Sequence, residues 1–169
     1  MQTQFPETLN FLRQVERNYR YEGEVALSQL ERFTDVLLGR EGSVQVALEF
    51  GSCVGYPCLK GVVSASVEVE CQRCLQPMLV EVSSRFKLGL VHTEEECDLL
   101  PEVFEPYLLE GEEQSLLALL EDELLLSLPM VTVHGEACSD FMRQQVEEIQ
   151  AEKAAAHPFA ALKSLKKET

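Results

Sequence analysis

Hydrophobic residues recur at helical spacing in the segment from Ala26 to Leu38. Apolar positions three and four residues apart alternate there with polar ones, and Gly39 follows as a stop signal. The pattern predicts a helix over residues 26–38 with one apolar face. The residues just before it, 19–23, indicate a short extended or linking segment.

Three later segments show the alternation of apolar and polar residues that is typical of strands. They span residues 44–50, 63–69 and 80–90, and each places its apolar side chains on one face. We predict an antiparallel sheet or a partly closed β-barrel formed by these segments. With flanking helices and a helical or mobile C-terminal tail, the fold class is α+β.

Leucine dominates the segment that follows Ser115. Ser115 is a suitable N-cap and Pro129 a stop signal, so the sequence predicts a helix over residues 115–128. Because leucines occupy more than one face, we expect this helix to be largely buried. Its three consecutive acids, residues 121–123, are expected to face solvent.

The remaining segments are poorer in apolar residues. Residues 93–114 are acidic and contain two prolines, which predicts a long surface connection or a pair of short elements. Residues 140–156 favour a polar helix, and residues 160–167 a short basic tail that is mobile in isolation. We therefore divide the chain into an α+β domain, 1–139, and a polar helix with a basic tail, 140–169.

The charge of the chain limits the ways in which it can bind nucleic acid. Its 169 residues carry a formal net charge of −15, which argues against simple electrostatic binding of phosphates. No Lys or Arg occurs between Lys87 and Arg143, and this acidic block is either a solvated surface or a docking face for a basic protein. The candidate residues for direct contact with RNA or a partner lie near the two ends of the chain: Arg13, Arg17, Arg20, Lys163, Lys166 and Lys167.

The sequence also indicates a compartment. The N-terminus lacks the layout of a secretory signal, and the longest apolar runs, 116–120 and 124–128, are too short to span a bilayer. Without an export signal, six cysteines at scattered spacings are better explained as thiols or metal ligands than as a disulfide framework. We predict a cytoplasmic protein with no membrane association.

The most distinctive chemical motif is the C-x-x-C pair of Cys71 and Cys74, which lies between two predicted strands. A turn at that place can aim two thiolates at one metal ion. His134 and Cys138, which follow the leucine-rich helix, are the best candidates for the other two ligands. Together the four residues would form a Cys3His zinc site.

The cysteines could also serve without a metal. Cys71 and Cys74 are free thiols in the simplest alternative, and His134 an ordinary loop residue. A thiol-exchange role is a further alternative, although such pairs normally precede a helix rather than a strand. Cys53 and Cys58 could form a second thiol cluster, or serve as small apolar residues.

No set of residues indicates catalysis. The three histidines, at positions 92, 134 and 157, lie in predicted loops without a motif that links them to a nucleophile. A glycine-rich phosphate loop is absent as well. We expect a protein that is not an enzyme.

The order and spacing of several motifs resemble those of the bacterial YceD family over nearly the whole chain. The motifs are Tyr21-Glu22-Gly23, Glu70-Cys71-Gln72-Arg73-Cys74, Leu100-Pro101-Glu102, Glu105-Pro106, the leucine-rich segment 119–129, His134, Cys138 and the tail segment 158–166. The family is described as the large ribosomal RNA subunit accumulation protein. The resemblance implies a role in large-subunit biogenesis and in normal levels of 23S ribosomal RNA, without an established enzymatic activity.

Two functional hypotheses follow. In the first, the protein is an assembly factor that binds a precursor of the large ribosomal subunit. It would contact 23S ribosomal RNA directly or, as the charge favours, dock through a basic ribosomal protein. In the second, it is a thiol-based redox or metal-responsive module unconnected with ribosomes.

Overall fold

The computed structural model describes residues 6–135, Cys138, Glu147 and Ile149. The chain divides into two units, which are described separately. The larger contains residues 6–70 and 77–130, and the smaller contains residues 71–76 together with those described after residue 130.

The larger unit contains seven strands, four α-helices and one turn of 3-10 helix. In chain order these are β1 (Thr8–Leu9), α1 (Phe11–Glu16), β2 (Arg20–Ala26), the 3-10 turn (Leu27–Gln29), α2 (Glu31–Thr34), β3 (Ser43–Cys53), β4 (Tyr56–Glu70), β5 (Pro77–Val91), α3 (Glu94–Cys97), β6 (Glu105–Leu108), β7 (Gln114–Ser115) and α4 (Leu116–Ser127). The predicted α+β class is confirmed.

Five strands form one sheet in the order β2-β3-β4-β5-β6. The three segments predicted from their alternation are the central strands β3, β4 and β5, which pair antiparallel. The sheet is open, since β2 and β6 stand at opposite ends of the order, so the alternative of a partly closed barrel is not realised. A separate two-stranded sheet joins β1 to β7.

Strand β6 departs from the predicted antiparallel arrangement because it pairs parallel with β5. It lies in the segment 93–114, where a pair of short elements was one of the two expectations, and α3 and β6 are those elements. Pro106 lies inside β6, which is possible because this is an edge strand and one row of its N–H groups needs no partner.

The helix predicted over residues 26–38 does not form as one element. Ala26 is the last residue of β2 and pairs with Ser43, and the N–H of Leu27 donates to the carbonyl of Gly42. Leu30, with φ −108° and ψ 73°, then separates the 3-10 turn from α2. The apolar positions of the predicted helix still face the core, because Leu27, Leu30 and Phe33 are all buried.

Helix α4 begins at the predicted N-cap. The Ser115 side chain accepts a hydrogen bond from the backbone N–H of Ala118, and the helix ends before Pro129. The expected exposure of residues 121–123 is wrong for two of the three acids. Glu121 and Glu123 are buried, and only Asp122 faces solvent.

These two buried carboxylates have specific partners. Glu121 accepts a hydrogen bond of 2.8 Å from the backbone N–H of Arg32, at the start of α2. Glu123 accepts one of 2.7 Å from the hydroxyl of Ser84 on β5. The acids therefore join α4 to neighbouring elements instead of marking its exposed side.

One hydrophobic core fills the larger unit. The inward faces of β2 to β5 supply much of it, and α1, α2 and α4 bring buried Phe11, Phe33, Leu120 and Leu124 to the same cluster. The Phe11 and Phe50 rings meet edge to face, with 5.2 Å between their centroids.

Cys53 and Cys58 are joined by a disulfide at the turn between β3 and β4. The interpretation of every cysteine as a thiol or ligand is therefore wrong for this pair. The two residues lie on adjacent strands near a turn in which Val54 and Gly55 both have positive φ.

The polar helix expected over 140–156 and the tail over 160–167 lie outside the described residues, apart from Glu147 and Ile149, which are helical and exposed. Within the described part of the chain, none of the helices has both the length and the hydropathy needed to cross a membrane.

Candidate metal centre

The first half of the site is the turn 71–76, which connects β4 to β5 in the chain. The N–H of Leu75 donates to the carbonyl of Cys71 at 2.9 Å, and the N–H of Cys71 donates to the carbonyl of Gln76 at the same distance. Leu75 takes a left-handed conformation with φ 58°. These bonds fold the segment tightly, so that Cys71 and Cys74 are held on one short turn.

The second half comes from the chain after α4. The N–H of Gln72 donates to the carbonyl of Thr132 at 2.8 Å, and the guanidinium of Arg73 donates to the carbonyl of His134 at 2.9 Å. The turn therefore holds residues 132–134 through hydrogen bonds to two of their backbone carbonyl groups. These bonds do not depend on a metal.

The four residues that the sequence selects are brought together. One ligand atom from each of Cys71, Cys74, His134 and Cys138 lies within 4.8 Å of all the others. The Sγ atoms of Cys71 and Cys138 are 3.7 Å apart, and Cys74 Sγ is 3.5 Å from Nδ1 of His134.

These distances fit the donor set that zinc prefers. Tetrahedral zinc with Zn–S bonds of about 2.3 Å places its sulfur ligands about 3.8 Å apart. The distance of 3.7 Å between the Sγ atoms of Cys71 and Cys138 agrees with this value. Three thiolates and one imidazole are a common set for structural zinc.

The surroundings lower the pKa of two cysteines of the cluster and raise the pKa of the third. For Cys71, burial raises the pKa, but hydrogen bonds outweigh burial: the backbone N–H groups of Cys74, Arg73 and His134 lower the pKa of this thiol to about 5. Burial also opposes ionisation of Cys138, yet hydrogen bonds led by that from Arg73 lower its pKa. Burial raises the pKa of Cys74. Hydrogen bonds to Cys138 and Cys71 raise the pKa of His134.

Arg73 is the residue of this site that the sequence reasoning missed. Its Nε donates to Sγ of Cys138 at 3.0 Å, while its terminal nitrogen binds the His134 carbonyl. A Cys3His site with Zn²⁺ carries a net charge of −1, which the guanidinium offsets. The only sequence signal for this role is the position of Arg73 between the two cysteines of the motif.

Three of the six basic residues proposed as RNA or partner contacts are described by the structure, and all three lie in the larger unit. Arg13 and Arg17 are exposed at α1 and its C-terminal end. Arg20 on β2 forms an ion pair of 2.6 Å with Glu49. Lys163, Lys166 and Lys167 lie outside the described residues.

Comparison with known proteins gives a consistent result. The family described as "Large ribosomal RNA subunit accumulation protein YceD" matches residues 59–166. A protein of Haemophilus influenzae with the same description is 34% identical over 166 residues, which cover 95% of each chain. No solved structure matches the chain.

Proposed function

Because the chain belongs to the YceD family, as its motifs suggest, we propose that it is a non-enzymatic factor that supports accumulation of 23S ribosomal RNA and biogenesis of the large ribosomal subunit. The observation that carries this proposal is the similarity over nearly the full length of both chains to a relative with that description. The expected place of action is the cytoplasm, and the expected partner is a precursor of the large subunit.

Surface charge supports docking through a basic ribosomal protein. Among the described residues, the acids of the block that face solvent are Glu94, Glu95, Glu96, Asp98, Glu102, Glu105, Glu110, Glu112, Glu113 and Asp122. A basic partner complements such a surface and is steered to it over a distance. The positive charges at Arg13, Arg17 and Arg20, with Lys163, Lys166 and Lys167, are the proposed contacts to RNA or partner on other parts of the chain.

Sedimentation tests this function directly. Tagged protein should migrate with precursors of the large subunit, and its removal from cells should lower the ratio of 23S to 16S ribosomal RNA. Absence of the protein from every ribosomal fraction, together with an unchanged ratio, would contradict the proposal.

We further propose that Cys71, Cys74, His134 and Cys138 bind one structural zinc ion. The metal would hold the turn 71–76 to the segment after α4 within the smaller unit, adding to the backbone hydrogen bonds described above. The inter-ligand distances and the low pKa of Cys71 support this assignment.

Elemental analysis of protein purified under reducing conditions tests the zinc proposal. We expect one zinc per chain, strongly reduced in Cys74→Ser and unchanged in Cys97→Ser. Cys97 is the matched control because it is a free cysteine outside the cluster. Protein without metal whose cluster cysteines cycle readily through a disulfide would favour the redox alternative instead.

A further inference from the structure

The sheet has an outward face on which a groove runs across four strands. Along β2 to β5, alternate side chains are exposed on the side opposite the core. The groove encloses about 470 Å³. It is lined by two rows of cross-strand neighbours: Arg20, Glu49, Lys60 and Lys87 in one, and Glu22, Ala47, Val62 and Arg85 in the other.

The floor of the groove is apolar and carries no exposed aromatic side chain. Ala47 and Val62 supply exposed apolar side chains. Between the two rows lies a third, in which Gly61 has no side chain and its neighbours Leu48 and Phe86 are buried. This middle row therefore offers the groove mainly backbone.

Charge is distributed unevenly along the groove. At the β2 end Arg20 is paired with Glu49. At the other end, Lys60, Arg85 and Lys87 form no ion pair with any carboxylate of the described residues. In a chain of net charge −15, this end is a local concentration of unneutralised positive charge.

Two of these cations face each other directly. Lys60 and Lys87 are partners in the register of β4 and β5. Like charges at such positions destabilise a sheet by a few tenths of a kcal/mol or more, and an anion bound between them removes that repulsion. The Lys87 ammonium is also held in place, because it lies 4.3 Å from the centroid of the Phe104 ring.

The dimensions favour a single extended strand. The two rows are two residues apart along each strand, a separation of about 7 Å, which is too narrow for a double helix. An apolar floor without exposed aromatic rings does not provide a platform for stacked bases. The cations are therefore suited to phosphates rather than to base edges.

We propose that this groove binds the phosphate backbone of single-stranded RNA, with Lys60, Arg85 and Lys87 as the contacting side chains. The choice of RNA as the anion rests on the proposed function. Binding of this kind is independent of base sequence and weakens as salt rises, since cations displace counterions from the phosphates.

Fluorescence anisotropy with the full-length protein and a labelled 20-nucleotide oligouridylate tests this proposal. The triple variant Lys60→Gln/Arg85→Gln/Lys87→Gln should bind at least tenfold more weakly. Three lost phosphate contacts should also reduce the slope of log K against log salt by about 2, at roughly 0.7 per contact.

A matched variant separates the groove from net charge. Arg32→Gln/Arg40→Gln removes two exposed charges outside the groove and should retain most of the binding, whereas Lys60→Gln/Arg85→Gln removes two charges of the groove and should not. Equal losses in these two double variants would overturn the proposal, as would preferential binding of polyglutamate over oligouridylate by the same groove.

A second variant tests RNA binding in the groove without removing Lys87, whose loss could disturb folding. Val62→Glu places a carboxylate on the exposed floor and leaves all three cations intact, so it should weaken binding with an unchanged circular dichroism spectrum. Unaltered binding in that variant would refute the groove. If wild-type protein fails to bind oligouridylate yet sediments with large-subunit precursors, the groove is refuted and the proposed function stands.

Discussion

Arg73 shows how one side chain can connect the parts of the candidate metal centre. Its guanidinium reaches the sulfur of Cys138 and the carbonyl of His134 at once. It therefore orients two of the four candidate ligand residues and would offset the charge of three zinc-bound thiolates. Loss of such a supporting group typically lowers metal affinity by about 10- to 100-fold.

Replacing Arg73 should weaken zinc binding without removing a ligand. In Arg73→Gln we expect the affinity for zinc to fall by about 10- to 100-fold, measured by competition with a chromophoric chelator. Gln72→Ala is the control, because it alters the adjacent exposed side chain and keeps the backbone bond to Thr132. Equal affinities in Arg73→Gln and wild type would contradict this role.

Residue 61 must be glycine because the ring of Phe86 packs across it. A methyl group at this position would overlap the ring of Phe86, which is buried. We expect Gly61→Ala to lower the free energy of unfolding by about 2–3 kcal/mol, measured by urea denaturation.

Two further variants check that explanation. Gly51→Ala, in the same sheet, would meet only Asn18 at an ordinary 3.4 Å and should cost far less. In the Gly61→Ala background, Phe86→Leu should cost less than it does in wild type, because it relieves the overlap. Additive effects of the two substitutions would argue against the ring as the cause.

At the scale of elements, α4 is held by polar as well as apolar contacts. Leu116, Leu119, Leu120 and Leu124 are buried, and the carboxylates of Glu121 and Glu123 reach the start of α2 and the hydroxyl of Ser84. Burial of a carboxylate is costly, and such hydrogen-bond partners reduce that cost. The helix is therefore restricted to one orientation about its axis.

Glu123 should make stability depend on pH. Burial raises its pKa; the hydrogen bond from Ser84 lowers it in part, and the nearby charges of Glu105 and Asp122 raise it further. A carboxyl group whose pKa is raised by folding stabilises the folded state below its unfolded pKa of about 4.3. That contribution is lost as pH rises through the folded pKa.

Glu123→Gln removes this dependence and retains an oxygen that accepts from Ser84. The variant should be more stable than wild type at pH 7, and the difference should shrink toward zero below about pH 4. Urea denaturation across that range measures it. Glu113→Gln, which removes an exposed charge, should show a clearly smaller difference at pH 7; an equal one would assign the effect to net charge alone.

At the scale of the whole chain, the charge of −15 acts on stability as well as on partner choice. Many exposed acids lie between positions 94 and 122, where no basic residue interrupts them. Their mutual repulsion disfavours the folded state. Salt reduces that repulsion, because the screening length falls from about 30 Å at 0.01 M to about 8 Å at 0.15 M.

The melting temperature should therefore rise by a few degrees between those salt concentrations, as measured by calorimetry in sodium chloride. A variant with three exposed acids neutralised, Glu94→Gln/Glu95→Gln/Glu112→Gln, should respond less to salt. A melting temperature that stays constant or falls with added salt would show that self-repulsion is not significant.

The sequence alone determined the features that depend on local chemistry. Period-two alternation predicts β3, β4 and β5, because the pleat itself turns successive side chains to opposite faces. Ser115 and Pro129 predict the ends of α4, because caps and stops act within one helical turn. The spacing of Cys71, Cys74, His134 and Cys138 was sufficient to select the residues that the structure brings together.

Only the tertiary structure decided what depends on partners distant in sequence. Ala26 pairs with Ser43 in the sheet, so this residue cannot begin the predicted helix. The N–H of Arg32 donates a hydrogen bond to Glu121, whose side chain is buried instead of exposed. The proposed RNA groove arises in the same way, because Lys60 and Lys87 are 27 positions apart and meet only through the register of β4 and β5. Register and burial are properties of the assembled sheet, and local sequence patterns do not specify them.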